Sequence, residues 1–458
     1  MRREIKKSIS GLFVIGMGVQ FLLGLCWAFS HFLQMPEFER TTEYIRASEN
    51  LVIDEYMGIL YPLFIAGAKG LEQLLGIPFY CFLYLLQIGA GVSASCFFVY
   101  SCRKEKKKVF CLSNLAAAVF LMTVPMVLQC YMAVLPEAFC LSGSLVMLGL
   151  CIGVLKRERP MDLQFFLMLG LLWCGMALFQ PDYLWLAGLP VLWMLVVCGI
   201  RKGIFVRALL ISLGALLLIL GVRGFTVQPG SYGKIQRSLG ATMVSRMVWP
   251  NFYTTYFFWP EEIKQVMSQD QALSISLHAD QVQNVFGPMV EKAYGKQAAN
   301  GYYWDMAVGC LQVRTKEILV SVSQDLGDYL CVPWSLLEQL QGSGRSYSGW
   351  NYARMQEGSP TLTKWYVYYS LWMFRIGIFL CLGIGVRRLI PALQRKERGR
   401  LRPRAWVCLV GCFLLGTVIW YTMSAAGMMD YLHVSVVSML WYAFLLVGYK
   451  QLHDSCEK

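Results

Sequence analysis

The sequence predicts an all-α polytopic membrane protein of about ten transmembrane helices with a small helical extracytoplasmic domain, and three observations carry that expectation. The chain of 458 residues is 57% hydrophobic and 15% charged, whereas soluble domains hold about 45–50% apolar and about 25% charged residues. Its apolar residues collect in windows of roughly 20 residues, the length an α-helix needs to cross a bilayer. Its Lys and Arg collect in short runs between alternate windows, as they do in cytoplasmic loops.

Taken in order, the windows are 11–30, 77–101, 109–128, 137–155, 163–179, 183–200, 205–222, 365–386, 405–423 and 431–449. The first follows "MRREIKKSIS" and reads as a retained helix. It is longer than the 7–15-residue core of a signal peptide, and no small-x-small cleavage site follows. Basic runs at the N-terminus, 103–108, 156–159, 201–202 and Arg387 to Arg404 alternate with short loops near 129–136, 180–182 and 424–430 that hold no Lys or Arg. The pattern puts both termini in the cytoplasm of a multi-pass plasma-membrane protein.

Residues 31–76 and 223–364 then lie outside. In the first, "EFERTTEYIRASEN" and "LYPLFIAGAKGLEQLL" space apolar residues by three and four, the period of two short amphipathic helices on the membrane surface. In the second, "WPEEIKQVMSQ" carries Pro260 at N1 and acids in the first turn, a helix start. The expected organisation is an N-terminal membrane module, 1–222, a mostly helical domain, 223–364, and C-terminal membrane helices, 365–458. Lipid offers no hydrogen bonds to the backbone, so the spans are helices.

Composition also excludes classes. The net charge of +13 is accounted for by loop topology, which removes the case for nucleic acid. The 16 cysteines show no CxxC spacing and sit mostly in apolar stretches, where thiols pack as small hydrophobes. Pairing of Cys310 with Cys331 stays open. No P-loop, HExxH or GxSxG occurs.

The candidate site residues therefore come from acids and cations that topology places near one face. "LVIDEYMGILYP" sets Asp54 and Glu55 beside Tyr56, with Gly58 easing the bend before Tyr61-Pro62 opens a helix. Glu137, in "VLPEAFCL", opens the fourth span, and Asp182, in "LFQPDYLWL", tips the turn between the fifth and sixth. Acids at this depth face water, a cation or a partner. Glu137 and Asp182 also fit as first-turn acids or N-caps, and Asp54-Glu55 as a solvated pair. Arg375 lies about 11 residues into a span, roughly 16 Å from Lys364. It meets either an ion-pair partner or a lipid phosphate. In the 223–364 segment Arg237, Arg246, Arg345 and Arg354 alternate with Trp249, Tyr253, Trp259, Tyr347, Trp350 and Tyr352. Arg clamps phosphate and aromatics stack on sugars, and an aromatic interface belt has the same composition.

The order of "DEY…YP" after the first span, "LPE" opening the fourth and "FQPDYLWLAGLPVL" after the fifth resembles the GT-C superfamily of membrane glycosyltransferases. The likeness is to the bacterial relatives of protein O-mannosyltransferases and lipid A aminoarabinose transferases, and covers roughly residues 10–200. It implies a GT-C-like fold and transfer of a monosaccharide from a polyprenyl-phosphate donor to a lipid, glycan or protein acceptor on the outer face. It implies Asp54 as catalytic base or metal ligand, Glu55 supporting it, and Glu137 as a second acid, with Asp54 and Glu137 the candidate ligands of a divalent cation (Mg or Mn). Substrate-binding positions are expected at Tyr56, Tyr61, Asp182, Arg246, Arg345, Trp350 and Arg375. Two departures stand out. Many relatives read Arg-Pro where this chain has Gln180-Pro181, and Arg-Tyr where it has Asp430-Tyr431. Each removes a cation suited to the donor phosphate. A lipid-linked glycan transporter or flippase and a non-catalytic envelope protein of the same fold are the rival readings; no internal repeat of the transporter kind is visible.

The charge pattern is checked by reporter fusion. An alkaline phosphatase fused after Gly230 is expected to be active, and one fused after Glu105 inactive; the reverse pattern overturns the topology.

Overall fold

The computed structural model describes residues 2–33, 35, 39–51, 53, 57–102, 112–156, 160–198, 202–226, 243–248, 252–276, 285–331, 360–394, 405–424 and 431–454. Among them the chain is helical, with no β-strand. The helices are α1 (Arg2–His31), α2 (Glu39–Asn50), α3 (Leu60–Leu75), α4 (Phe79–Ser101), α5 (Leu112–Met122) and α6 (Pro125–Tyr131). They continue with α7 (Glu137–Leu155), α8 (Leu163–Phe179), α9 (Tyr183–Leu186), α10 (Gly188–Cys198) and α11 (Lys202–Thr226). After a π-helical turn, Val244–Val248, come α12 (Phe252–Thr255), α13 (Glu261–Val266), α14 (Gln269–Ser276) and α15 (Gly287–Leu330). The last three are α16 (Pro360–Gln394), α17 (Ala405–Ser424) and α18 (Tyr431–Asp454).

Every apolar window in the sequence holds helix, and among the described residues three helical segments are long and apolar enough to cross a membrane: Phe79–Ser101, Glu137–Leu155 and Ile204–Thr226. Five shorter apolar helical segments accompany them, from Ile15–His31 to Ser435–Gly448. Composition shows which surfaces meet the surrounding medium. Along α11, Val206, Leu210, Leu213, Leu217 and Leu218 are exposed together, a leucine face that water would not tolerate at this size.

One window departs from an unbroken helix. The 109–128 stretch is interrupted at Thr123–Val124, between α5 and α6. Pro125 lacks an amide hydrogen, and its ring clashes with a carbonyl one turn back, so the helix restarts with Pro at its first turn. The freed carbonyls are taken by other helices. Gln20 Nε2 donates to the Thr123 carbonyl at 3.2 Å, and the Tyr366 hydroxyl donates to the same oxygen.

Three hydrophobic clusters organise the molecule. The largest joins α1, α4–α11 and α16–α18 into one bundle. A second, around Phe252, Trp259, Phe286 and Tyr303, is the core of the 244–322 unit. The third packs α2 and α3 on the start of α4, through Tyr44, Tyr61, Ile65 and Tyr84. Gly295 has φ +76 and ψ 161 and bends α15, so the segment is several helices end to end. Pro260 precedes α13 at the N-cap, one position earlier than the sequence pattern suggests, with Glu261 and Glu262 in the first turn.

Gln87 ties these layers together. It is fully buried in α4, accepts from the Tyr61 hydroxyl at 3.2 Å and donates to the carbonyls of Tyr131 (3.3 Å) and Ala133 (3.0 Å). A single amide thus satisfies the end of α6 and holds α3. Gln87→Leu strands those groups away from water and is expected to cost about 1–3 kcal/mol, read as a lowered unfolding midpoint of the purified protein in detergent.

Candidate functional site

The site is built where the loop before α3, the start of α7 and the turn after α8 meet. Gly58 sets the approach. A Cβ there would overlap the Leu178 carbonyl oxygen and the Phe179 backbone, so only glycine lets the two strands of chain lie this close. The sequence assigns Gly58 to easing a bend; in the structure it serves backbone contact. Side chains then close the gap. The rings of Phe139 and Phe179 stack at 4.9 Å, and Phe64 lies 5.2 Å and 5.5 Å from them.

Glu137 stands at this junction. It is the first residue of α7, after Pro136, and is 1% exposed. Its charge is within electrostatic reach of Tyr61, Cys130, Cys140, Tyr183 and Tyr421. Asp182 shares two of those neighbours, Cys140 and Tyr421. The two acids, far apart in sequence, therefore belong to one cluster. Asp182 is half-buried at the N-cap position of α9, and its side chain makes no cap hydrogen bond. Local bonds hold the frame: Cys140 Sγ donates to the Met176 carbonyl, and Tyr131 and Ser142 share a hydrogen bond of 2.9 Å.

A second junction attaches the 244–322 unit to the bundle beside this cluster. Arg246, 1% exposed, pairs through Nη1 with Asp325 Oδ2 at 2.5 Å, and its Nη2 donates to the Thr422 carbonyl. Thr422 follows Tyr421, whose ring lies 6.3 Å from Tyr329 of α15. The guanidinium expected to bind substrate is thus committed to protein groups.

The other expected residues fall as follows. Asp54, Glu55, Tyr56, Arg345 and Trp350 lie outside the described residues, as do Arg237, Trp249, Tyr347, Tyr352, Arg354 and Asp430. Tyr61 is fully buried with its hydroxyl on Gln87, so it forms the wall and not an open binding surface. Arg375, on α16, is half-buried over the Trp372 ring at 5.3 Å. Cys310 and Cys331 are both free. Cys310 donates to the Met247 carbonyl, and burial pushes its thiol up to about 11, while Cys331 is exposed.

A hard divalent cation requires about six oxygen ligands. Among the described residues no group of three or more His, Cys, Asp or Glu forms, and of the two candidate ligands Glu137 is described and Asp54 is not. Sequence reasoning missed Gln87, Tyr183 and Tyr421. A lone Gln in the apolar run "FLYLLQIGAG" was a legible signal for the first; Tyr421, a tyrosine in an apolar helix more than two hundred residues away, carried none.

Gly58→Ala is expected to force the loop from α8 and to cost about 1–3 kcal/mol, the usual range for overpacking. The checking measurement is the unfolding midpoint together with protease cutting between residues 50 and 60.

Compared with protein-family models, curated proteins and solved structures, the chain matches none.

Proposed function

We propose that the chain is a membrane glycosyltransferase that moves a monosaccharide from a polyprenyl-phosphate donor to an acceptor hydroxyl on the outer side of the membrane. One observation carries the reading: a buried carboxylate, Glu137, shares the electrostatic neighbours Cys140 and Tyr421 with Asp182, which lies in the turn just after the Gly58 contact at Leu178 and Phe179. That contact also brings the chain immediately after Asp54 and Glu55 to the same junction. Burying a carboxylate is costly, and such groups concentrate at functional sites. The ten-helix topology and GT-C-like architecture proposed here draw on the apolar helices and the alternating basic runs.

In the proposed reaction the acceptor oxygen attacks the anomeric carbon from the face opposite the phosphate. The bond from carbon to phosphate oxygen breaks, and the phosphate leaves with that electron pair. The acceptor proton passes to a carboxylate within about 3 Å, for which Asp54 is the choice. Single displacement inverts the anomeric centre. Glu137 is the second acid, shaping the field around the leaving group and the acceptor.

The break between α5 and α6 favours a second reading, a transporter of lipid-linked glycans, because interrupted helices mark transport sites. Its Thr123 carbonyl is capped by Gln20 and Tyr366, which gives the transferase reading precedence.

The test is made on the purified full chain in liposomes. Asp54→Asn is expected to abolish sugar transfer with insertion intact, and Glu137→Gln to lower it at least 100-fold, a loss typical of removing acid–base catalysis. Near wild-type transfer by Asp54→Asn sinks the assignment. Movement of labelled lipid-linked sugar across the bilayer without transfer establishes the transporter instead.

A further inference from the structure

The break between α5 and α6 leaves a notch inside the bundle. Pro125 cannot carry the helix through, and the chain restarts at its ring. Beside it lies a small cavity, with about 10 Å³ of space for the centre of a water molecule. Val124, Pro125 and Met126 line it from the break, Ser370 from α16, and Ser438 and Tyr442 from α18. One water needs about 10–15 Å³ by this measure, so there is room for a single molecule.

Three hydroxyl groups border this space, and they differ in how they are bonded. Tyr442 donates its proton to the Ser370 carbonyl at 2.9 Å. The Ser370 hydroxyl lies 3.1 Å from the same tyrosine oxygen and therefore donates to it. Ser370 Oγ and Tyr442 Oη keep lone pairs that can accept. Ser438, one helical turn before Tyr442 and 2% exposed, is the odd member. A helical hydroxyl can satisfy itself on the carbonyl four residues back, as those of Ser142, Ser144, Ser212 and Thr417 do. Ser438 Oγ has no partner among the described residues. A buried hydroxyl in that state is costly and calls for a reason.

We infer that the cavity binds one ordered water, which joins Ser438 to Ser370 and Tyr442 and fills the notch that Pro125 opens. Ser438 Oγ donates to the water, and the water donates its two protons to Ser370 Oγ and Tyr442 Oη. Every O–H in the group then has an acceptor. Three bonds are also the usual number for a buried water. Ordered water is one of the means by which a proline break is accommodated within a membrane. The inference does not depend on the glycosyltransferase reading, because it concerns how the bundle is held.

The test is X-ray radiolysis of the purified full chain in detergent, which turns water into hydroxyl radicals that oxidise the side chains beside it. Met126 and Tyr442 are 1% and 2% exposed, and Met147 and Tyr303, at 0% and 1%, are equally buried controls away from the cavity. In wild type, mass spectrometry is expected to find Met126 and Tyr442 oxidised well above their controls. Ser438→Val fills the cavity with carbon and is expected to bring both down to the control level. Ser438→Ala adds no bulk and is expected to lower both, and to lower the unfolding midpoint because the water loses a bond. Removing a hydroxyl that had no partner would instead leave the midpoint unchanged or raise it. Ser438→Ala alone decides if Ser438→Val does not fold. Wild-type oxidation at the control level means a dry cavity and overturns the inference. Oxidation that the variants leave unchanged overturns it as well, as does a Ser438→Ala midpoint at or above wild type.

Discussion

One tight approach of backbone to backbone is made by a residue with no side chain. Gly58 rests on the backbone at the end of α8, where any Cβ would collide with Leu178 and Phe179. From that contact much of the junction follows. It places α3 so that Phe64 reaches Phe139 and Phe179, and so that the Tyr61 hydroxyl meets Gln87 inside α4. It also puts Gly58 of the first loop beside the chain that leads into the turn of Gln180 and Asp182. A chain of apolar helices has little reason to hold such a loop in one place, because helix packing in lipid lacks a hydrophobic driving force. Backbone contact, aromatic packing and a buried amide supply it.

The second constraint is electrostatic. Arg246 bridges the 244–322 unit to α17 through Asp325 and the Thr422 carbonyl. Buried ion pairs add little net stability, because desolvation offsets their attraction, but losing one partner is severe. Such a pair is suited to selecting one docking geometry over others. Here the selected geometry sets Tyr421 6.3 Å from the Tyr329 ring and within electrostatic reach of Glu137 and Asp182. The unit's own core around Phe252 and Phe286 gives it a fold of its own, and the arginine decides where that fold sits.

Helix placement was largely legible in the sequence because hydrophobic period and charge alternation are local properties. The 137–155 and 163–179 windows coincide with α7 and α8, and "LYPLFIAGAKGLEQLL" coincides with α3. The break at Thr123–Val124 was written in Pro125, whose missing amide hydrogen is also a local fact. The candidate site was legible only in part. Glu137 and Asp182 stood out because carboxylates are rare in apolar sequence.

By itself, then, the sequence determined a helical chain, its apolar windows, its two amphipathic helices and the acids worth examining, since each depends on neighbours a few residues away. Only the tertiary structure decided what those groups touch. It committed Arg246 and the Tyr61 hydroxyl to protein partners, turned Gly58 from a bend into a contact, and brought Tyr183 and Tyr421 to the acids. Those outcomes hang on contacts between residues 26 to 284 positions apart, from Tyr61 and Gln87 to Glu137 and Tyr421, and no periodicity along a chain encodes them.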